Sequence, residues 1–245
     1  MEADPIILGT DIFTGEVITQ PLTNLTHTLV AGTTGFGKSV FIHQLVSQAA
    51  AHPGVEALHL VDLKEGVEFV AYEQRERVTV TWELQDLSAL LEQLTETVKA
   101  RQATLRERRQ RRWPGARIIV VIDEYSEIHW RATNKTQRAF LQDSLNRLAA
   151  GSRSAGVTLI AATQKPTTDA MDSAFSANLP TRVCFKVANN LTAAMVLGTL
   201  EDLRRDPGLD PATLKRGWCI LRDGITGEAR YLQPHVAPEA EEERS

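Results

Sequence analysis

Apolar and polar positions fall into a repeating order along the chain. A short apolar run that suits a strand is followed by apolar residues at helical spacing, and this recurs several times. Residues 26–31 (THTLVA) read as a short strand. In 40–50, Phe41, Leu45 and the Gln48-Ala49 pair recur at helical spacing, with Ile42 and Val46 on the adjoining stripe. Residues 55–61 predict a second strand, and 78–82 a third. A long helix is expected over about 83–112, with Leu84, Leu87, Leu90, Leu91, Leu94 and Val98 as its stripe. Residues 117–124 (RIIVVIDE) read as a fully buried strand. A helix over about 136–153 should bury Phe140, Leu141, Leu145, Leu148 and Ala149. Residues 157–164 (VTLIAATQ) give another buried strand. Beyond it lie a loop with a short helix (165–180), a strand (181–187), a helix (189–200), and a hairpin around Asp223-Gly224. At the other end, residues 5–20 predict a β-hairpin around Thr14-Gly15 standing outside the main sheet. Strands alternating with helices imply an α/β fold with a mostly parallel sheet flanked by helices and right-handed crossovers.

Composition changes this picture little. A chain of 245 residues, 42% hydrophobic and 24% charged, suits one large α/β domain. The net charge of −4 does not advertise nucleic-acid binding, but the tail at 238–245 concentrates four acids against one base. The organisation expected is a hairpin extension at 1–20, one α/β domain at 21–233 and a disordered acidic tail at 234–245. The two cysteines, Cys184 and Cys219, lie in apolar runs and read as buried free thiols. No apolar run approaches the roughly 20 residues that span a bilayer, and the first residues do not resemble a signal peptide, so a cytoplasmic protein without direct membrane insertion is expected.

The chemistry is concentrated at strand ends. Residues 32–39 (GTTGFGKS) fit the phosphate-binding loop pattern between a strand and a helix. Gly32, Gly35 and Gly37 let successive N–H groups of Gly32, Thr33, Thr34, Gly35, Phe36, Gly37, Lys38, Ser39 and Val40 turn toward phosphate oxygens. Lys38 suits the β- and γ-phosphates of ATP, and Ser39 suits Mg²⁺. Asp123 and Glu124 close the 117–124 strand as a Walker B pair, with Asp123 on the metal side and Glu124 as general base. Gln164 ends its strand where an amide can sense the γ-phosphate. Two basic stretches, Arg106, Arg108, Arg109, Arg111 and Arg112, and Arg131 with Lys135 beside Trp130, are candidates for contact with the DNA backbone.

Taken together, residues 27–39, 61–64 (VDLK), 120–125 (VVIDEY), 153–157 (RSAGV), 162–166 (ATQKP) and 177–182 (ANLPTR) resemble the FtsK/SpoIIIE motor ATPases of the HerA–FtsK group. The resemblance covers about residues 6–232. It implies a RecA-like core, a hexameric ring of identical subunits and ATP-driven movement of double-stranded DNA, in DNA transfer or viral genome packaging. Arg153 and Arg182 match family arginines, one of which would act on the neighbouring subunit's γ-phosphate. The membrane-spanning and DNA-reading modules of the family have no counterpart in this sequence, so direction and recruitment are expected to come from elsewhere. Phe36, and residues 189–194 (NNLTAA), also depart from the family pattern. A protein-export ATPase of the type VII secretion kind, or a non-motor ATP-binding regulator, is the alternative.

Overall fold

The computed structural model describes residues 4–64, 66–167, 170–204 and 206–237. The strand-forming runs build one sheet from β1 (Ile6–Asp11), β2 (Val17–Gln20), β3 (Thr28–Ala31), β4 (Val55–Asp62), β5 (Val78–Thr81), β6 (Arg117–Asp123), β7 (Val157–Thr163), β8 (Thr181–Cys184), β9 (Cys219–Arg222) and β10 (Ala229–Gln233). The order is β2-β1-β10-β9-β8-β3-β7-β6-β4-β5. From β8 to β5 every pairing is parallel; from β8 through β9, β10 and β1 to β2 every pairing is antiparallel.

Alternation along the buried strands decides the layers, because successive side chains point to opposite faces. Val30, Leu58, Leu60, Ile119, Val121, Ile160 and Val183 face helix α1 (Lys38–Ala51). Leu29, Val61, Ile118, Val120, Ile122 and Leu159 face the other side. That side is covered by α2 (Leu84–Glu107) and α4 (Lys135–Gly151), with α5 (Ser173–Ala177) and α6 (Asn190–Leu197). The leucine stripe of α2 is buried as the periodicity predicts, whereas Phe140 of α4 is 37% exposed, contrary to expectation. Residues 126–131 form a short helix, α3 (Ser126–Arg131), between β6 and α4. Helix α2 stops at Glu107, short of its expected end, and Arg109 at φ 54° turns the chain away.

The amino-terminal hairpin corrects a second expectation. It does not stand outside the sheet: β1 pairs with β10 through Thr10↔Gln233 and Asp11↔Leu232. Ile6 and Leu8 are buried on the α1 face. A bulge between Ile7 and Gly9 interrupts the β1–β2 register. At that bulge the Ile7 N–H donates to Gln48 Oε1 at 2.7 Å, and the Ile7 carbonyl accepts from Gln44 at 2.7 Å and Gln48 at 3.0 Å. Two glutamines of α1 thus satisfy backbone groups that the bulge leaves unpaired. Pro234 and Ala237, expected in a disordered tail, are buried, and the His235 N–H donates to Gln44 Oε1 at 2.6 Å. The remainder of that tail, 238–245, lies outside the described residues. Cys184 and Cys219 are buried free thiols, and burial pushes Cys184 up to about 12. Among the described residues no helix is long and apolar enough to cross a membrane.

The amino edge of the sheet carries a pH-sensitive group. His27 precedes β3, is 2% exposed, and accepts from the Leu159 N–H at 2.9 Å through Nδ1. Burial, with Arg153 and Arg117 nearby, lowers its pKa to about 4. The unfolded chain, titrating near 6.5, takes up this proton first. Stability that is fully present above about 6.5 is therefore lost as pH falls toward 4, by roughly 3 kcal/mol. Thermal melts from pH 7 to 4.5 should fall more steeply for the wild type than for His27→Gln; parallel slopes would remove His27 from the acid response.

Candidate functional site

The phosphate-binding loop joins the central strand β3 to α1. Gly32 is required by close approach: a Cβ there would lie 2.5 Å from Phe185 Cβ. Gly37 caps α1 at φ 112°, a conformation that L side chains rarely adopt, and no side chain caps the helix. The first N–H groups of α1 are thereby left directed at any anion in front of them. Phe36 is pinned from two sides: its carbonyl accepts from the Gly217 N–H at 3.0 Å, and Lys186 Nζ lies 4.8 Å from its ring centroid.

A cavity of about 620 Å³ opens over this loop. Its walls include Thr33, Thr34, Lys38, Asp62, Glu68 and Asp123, with Gln164. The expected residues thus converge from the carboxyl ends of β3, β4, β6 and β7, which the parallel order places side by side. Thr34 Oγ1 donates to Gln164 Oε1 at 2.6 Å, tying the loop to β7. Lys38, 6% exposed, sits 3.8 Å from Asp123 Oδ1. That is an ion pair but lies beyond hydrogen-bond reach, so Oδ1 is buried without a hydrogen-bond partner. Burial raises the Asp123 pKa to about 6; Lys38 opposes the rise, while Glu68, Glu124 and Asp62 add to it. A buried carboxylate oxygen with no donor, in a cavity that Ser39 also lines, fits a hard divalent cation. Among the described residues no group of three or more His, Cys, Asp or Glu could hold a metal. A cation here needs phosphate oxygens as well, as is usual for Mg²⁺.

Glu124 is oriented differently from its neighbour. It adopts φ 54°, strained for a non-glycine residue. Its carboxylate accepts from Ser126 Oγ at 2.6 Å, Thr163 Oγ1 at 2.9 Å and the Gln164 N–H at 3.0 Å. It lines a second cavity of about 430 Å³ with Lys64, Glu127, Trp130, Gln164 and Lys165. Gln164 borders both cavities.

The arginines divide. Arg182, expected as a possible trans-acting group, is folded inward: it donates to Ser176 Oγ at 3.0 Å and to the Ser176 carbonyl, fastening β8 to α5. Arg153 lies at the amino edge, in the turn before β7, and cannot serve its own chain's phosphates. Arg131 is tied down within its own chain. Its guanidinium donates to the Leu63 carbonyl and to the Trp82 carbonyl at 3.2 Å and pairs with Glu83 at 3.6 Å, clamping α3 onto neighbouring loops while the side chain stays about one third exposed. Lys135 is exposed at the start of α4. Arg106, Arg108, Arg109, Arg111 and Arg112 are exposed before β6 begins, whereas Arg131 and Lys135 follow its end. Seven residues of strand separate the two edges, roughly 23 Å at about 3.3 Å per residue, so the two basic stretches do not form one patch.

Sequence reasoning missed several lining residues. Arg216, Gln233, Pro234 and Val236 border the phosphate cavity from the far side. They arrive through β9 and β10, and no motif marked them. Glu68 was missed too, although it follows the recognised 61–64 stretch by only four residues.

Comparison with known proteins gives a consistent picture. The FtsK/SpoIIIE family model matches residues 2–117. The DNA translocase FtsK of Treponema pallidum is 31% identical over 214 residues, covering 80% of this chain and 26% of that protein. The chain thus spans about a quarter of the length of the curated relatives it matches. Among solved structures, the pCW3 conjugation coupling protein TcpA, in its monomer form with ATPγS, superposes with a TM-score of 0.74 at 26% identity, covering 95% of this chain and 66% of that one. The cytoplasmic domain of the Thermomonospora curvata type VII secretion ATPase EccC gives 0.70 at 22%, covering 96% and 28%. The genome packaging NTPase B204 of Sulfolobus turreted icosahedral virus 2 gives 0.56 at 14%, covering 86% and 98%. The last two share the fold, at identities too low to carry more.

Proposed function

We propose that this chain, which matches the FtsK/SpoIIIE family over residues 2–117 and is similar to the DNA translocase FtsK, is the motor core of an ATP-driven ring that moves double-stranded DNA. The observation that carries the reading is the convergence of Lys38, Asp123 and Gln164 on one cavity over the phosphate-binding loop. The loop N–H groups and Lys38 bind the triphosphate. Ser39 and Asp123 hold Mg²⁺, which supplies charge neutralisation of the phosphates when bound. Gln164 reports on the terminal phosphate and, through its own N–H, on Glu124 in the adjoining cavity. Glu124 takes the proton of the attacking water. The DNA relatives favour this reading over protein export, for which the support is fold alone. The test is ATP hydrolysis with and without linear duplex; a turnover indifferent to DNA would leave an ATPase of another kind.

Of the two family-matched arginines, Arg153 is the better trans-acting group, because Arg182 is committed to Ser176. Arg153→Ala should bind ATP normally yet hydrolyse it at least 10³-fold more slowly, in line with other arginine fingers. Mixed with Lys38→Ala subunits, it should regain part of the rate, since one subunit would bring the site and the other the arginine. No recovery on mixing would count against a shared site.

For DNA, Lys135 and the exposed arginines at 106–112 rank ahead of Arg131, which is already hydrogen-bonded within the chain. A motor must pass every sequence, so its grip should fall on phosphates. Replacing Arg108, Arg109, Arg111 and Arg112 by Ala should leave basal hydrolysis unchanged and reduce stimulation by duplex. The salt dependence of binding should flatten by a slope of about 0.9 for each phosphate no longer neutralised. An unaltered duplex response would return these arginines to an ordinary solvated turn.

A further inference from the structure

We propose that Glu68 is a positioning residue of the nucleotide site: held by His43, its carboxylate fixes the water shell of the divalent cation that accompanies the triphosphate. This rests on the reading that ATP binds in the cavity over the phosphate-binding loop. The loop after β4 wraps around Asp62, whose Oδ1 accepts from the Lys64 N–H and whose Oδ2 accepts from the Glu68 N–H, both at 3.0 Å. This wrapping delivers the Glu68 side chain into the cavity wall beside Lys38 and Ser39. Ser39 and His43 are four residues apart on α1 and so share the face that meets it.

His43 Nε2 lies 3.3 Å from Glu68 Oε1, and His43 Nδ1 lies 3.1 Å from the Tyr72 hydroxyl. A carboxylate only accepts, so Nε2 carries the proton toward Glu68, while Nδ1 is held by the Tyr72 hydroxyl. The ring is 2% exposed, stacked on Tyr72 at 5.6 Å and packed against Phe69. A buried ring fixed on both nitrogens leaves Glu68 little freedom. The bond from His43, with further help from Ser39 and Lys38, holds the Glu68 carboxyl below its ordinary range, against the opposing effect of burial.

The cavity wall thus presents Asp62, Glu68 and Asp123 to a ligand that is itself a polyanion. Both Asp62 oxygens accept backbone N–H groups, whereas Asp123 Oδ1 has no hydrogen-bond partner. Besides burial, Glu68 and Asp62 both push the Asp123 pKa upward, a repulsion that Lys38 offsets and a bound cation would relieve further. Asp123 and Glu68 line this cavity together with Ser39. Outer-shell carboxylates of this kind orient the groups bound to a metal.

The test titrates Mn²⁺ into protein with a fluorescent ATP analogue, reading nucleotide binding and, separately, Mn²⁺ occupancy by electron paramagnetic resonance. Glu68→Gln keeps the shape and the acceptor for His43 but loses the charge. It should need at least about 10-fold more Mn²⁺ for half-saturation. Its affinity for nucleotide in EDTA should be unchanged or tighter, because one carboxylate no longer opposes the phosphates. His43→Phe, which keeps the ring packing and removes the donor, should shift the Mn²⁺ requirement in the same direction by less. A wild-type Mn²⁺ requirement in Glu68→Gln would overturn the proposal, as would an equal loss of nucleotide affinity with and without metal, the mark of a purely structural role. If the wild type bound no nucleotide with Mn²⁺ present, the reading of the cavity itself would fall, and this proposal with it.

Discussion

Glu124→Gln should bind ATP about as well as the wild type and turn it over 10²–10⁴-fold more slowly, the range that general bases contribute. The substitution is a clean probe because the fold around it survives. The amide oxygen can still accept from Ser126 Oγ, Thr163 Oγ1 and the Gln164 N–H, the three donors that hold the carboxylate. What the amide cannot do is take a proton. The side chain lines the second cavity and not the phosphate cavity, so ground-state binding has little reason to change. Single-turnover hydrolysis with pre-bound ATP separates the two quantities, and a wild-type rate would assign the base elsewhere.

Lys38→Ala should fail earlier, at binding. Lys38 is buried at the mouth of α1 and is the cation paired with Asp123. A charge-assisted hydrogen bond contributes about 1.5–3 kcal/mol, so its loss should weaken nucleotide binding roughly 10- to 100-fold, with turnover falling further. A second effect has the same sign. Asp123 is already raised to about 6 by burial, and Lys38 is the group that opposes the rise. Without it, Asp123 gains protons more readily near neutrality and supports a cation less well. Isothermal titration of ATP with Mg²⁺ at pH 7 and pH 8 should show the larger deficit at pH 7; a deficit of the same size at both would remove the Asp123 contribution.

The parts of the site legible in the sequence are those whose chemistry is local. The phosphate-binding loop needs consecutive residues, since its N–H groups belong to one turn and one helix start; Gly37 at φ 112° and Lys38 at the first helical position follow from residues 32–39 alone. Asp123 and Gln164 were also legible. Each ends an apolar run that can only be a buried strand, and a parallel sheet brings such ends to one edge. Helix stripes were legible for the same reason, as the burial of Leu84, Leu87 and Leu91 in α2 shows.

The remainder depended on distant partners. The pairing of β1 with β10 joins residues more than 200 positions apart, so nothing within residues 5–20 distinguishes a free hairpin from two sheet strands. A basic residue in a polar stretch looks the same whether it faces solvent or, like Arg131, spends its donors on the Leu63 and Trp82 carbonyls. Arg182 and Ser176 pose the same ambiguity. Glu68 carries no pattern of its own; it gains its place because Asp62 gathers the loop and His43, from another element, meets its carboxylate. The strand–loop–helix at 28–51 and the strand ends beside it were readable from sequence because periodicity and turn chemistry act over a few residues. The joining of the two hairpins to each other and to β8, the direction of Glu124, and the partners of Arg131 and Arg182 came from the fold, because they are set by hydrogen bonds between groups that sequence separation leaves uncorrelated.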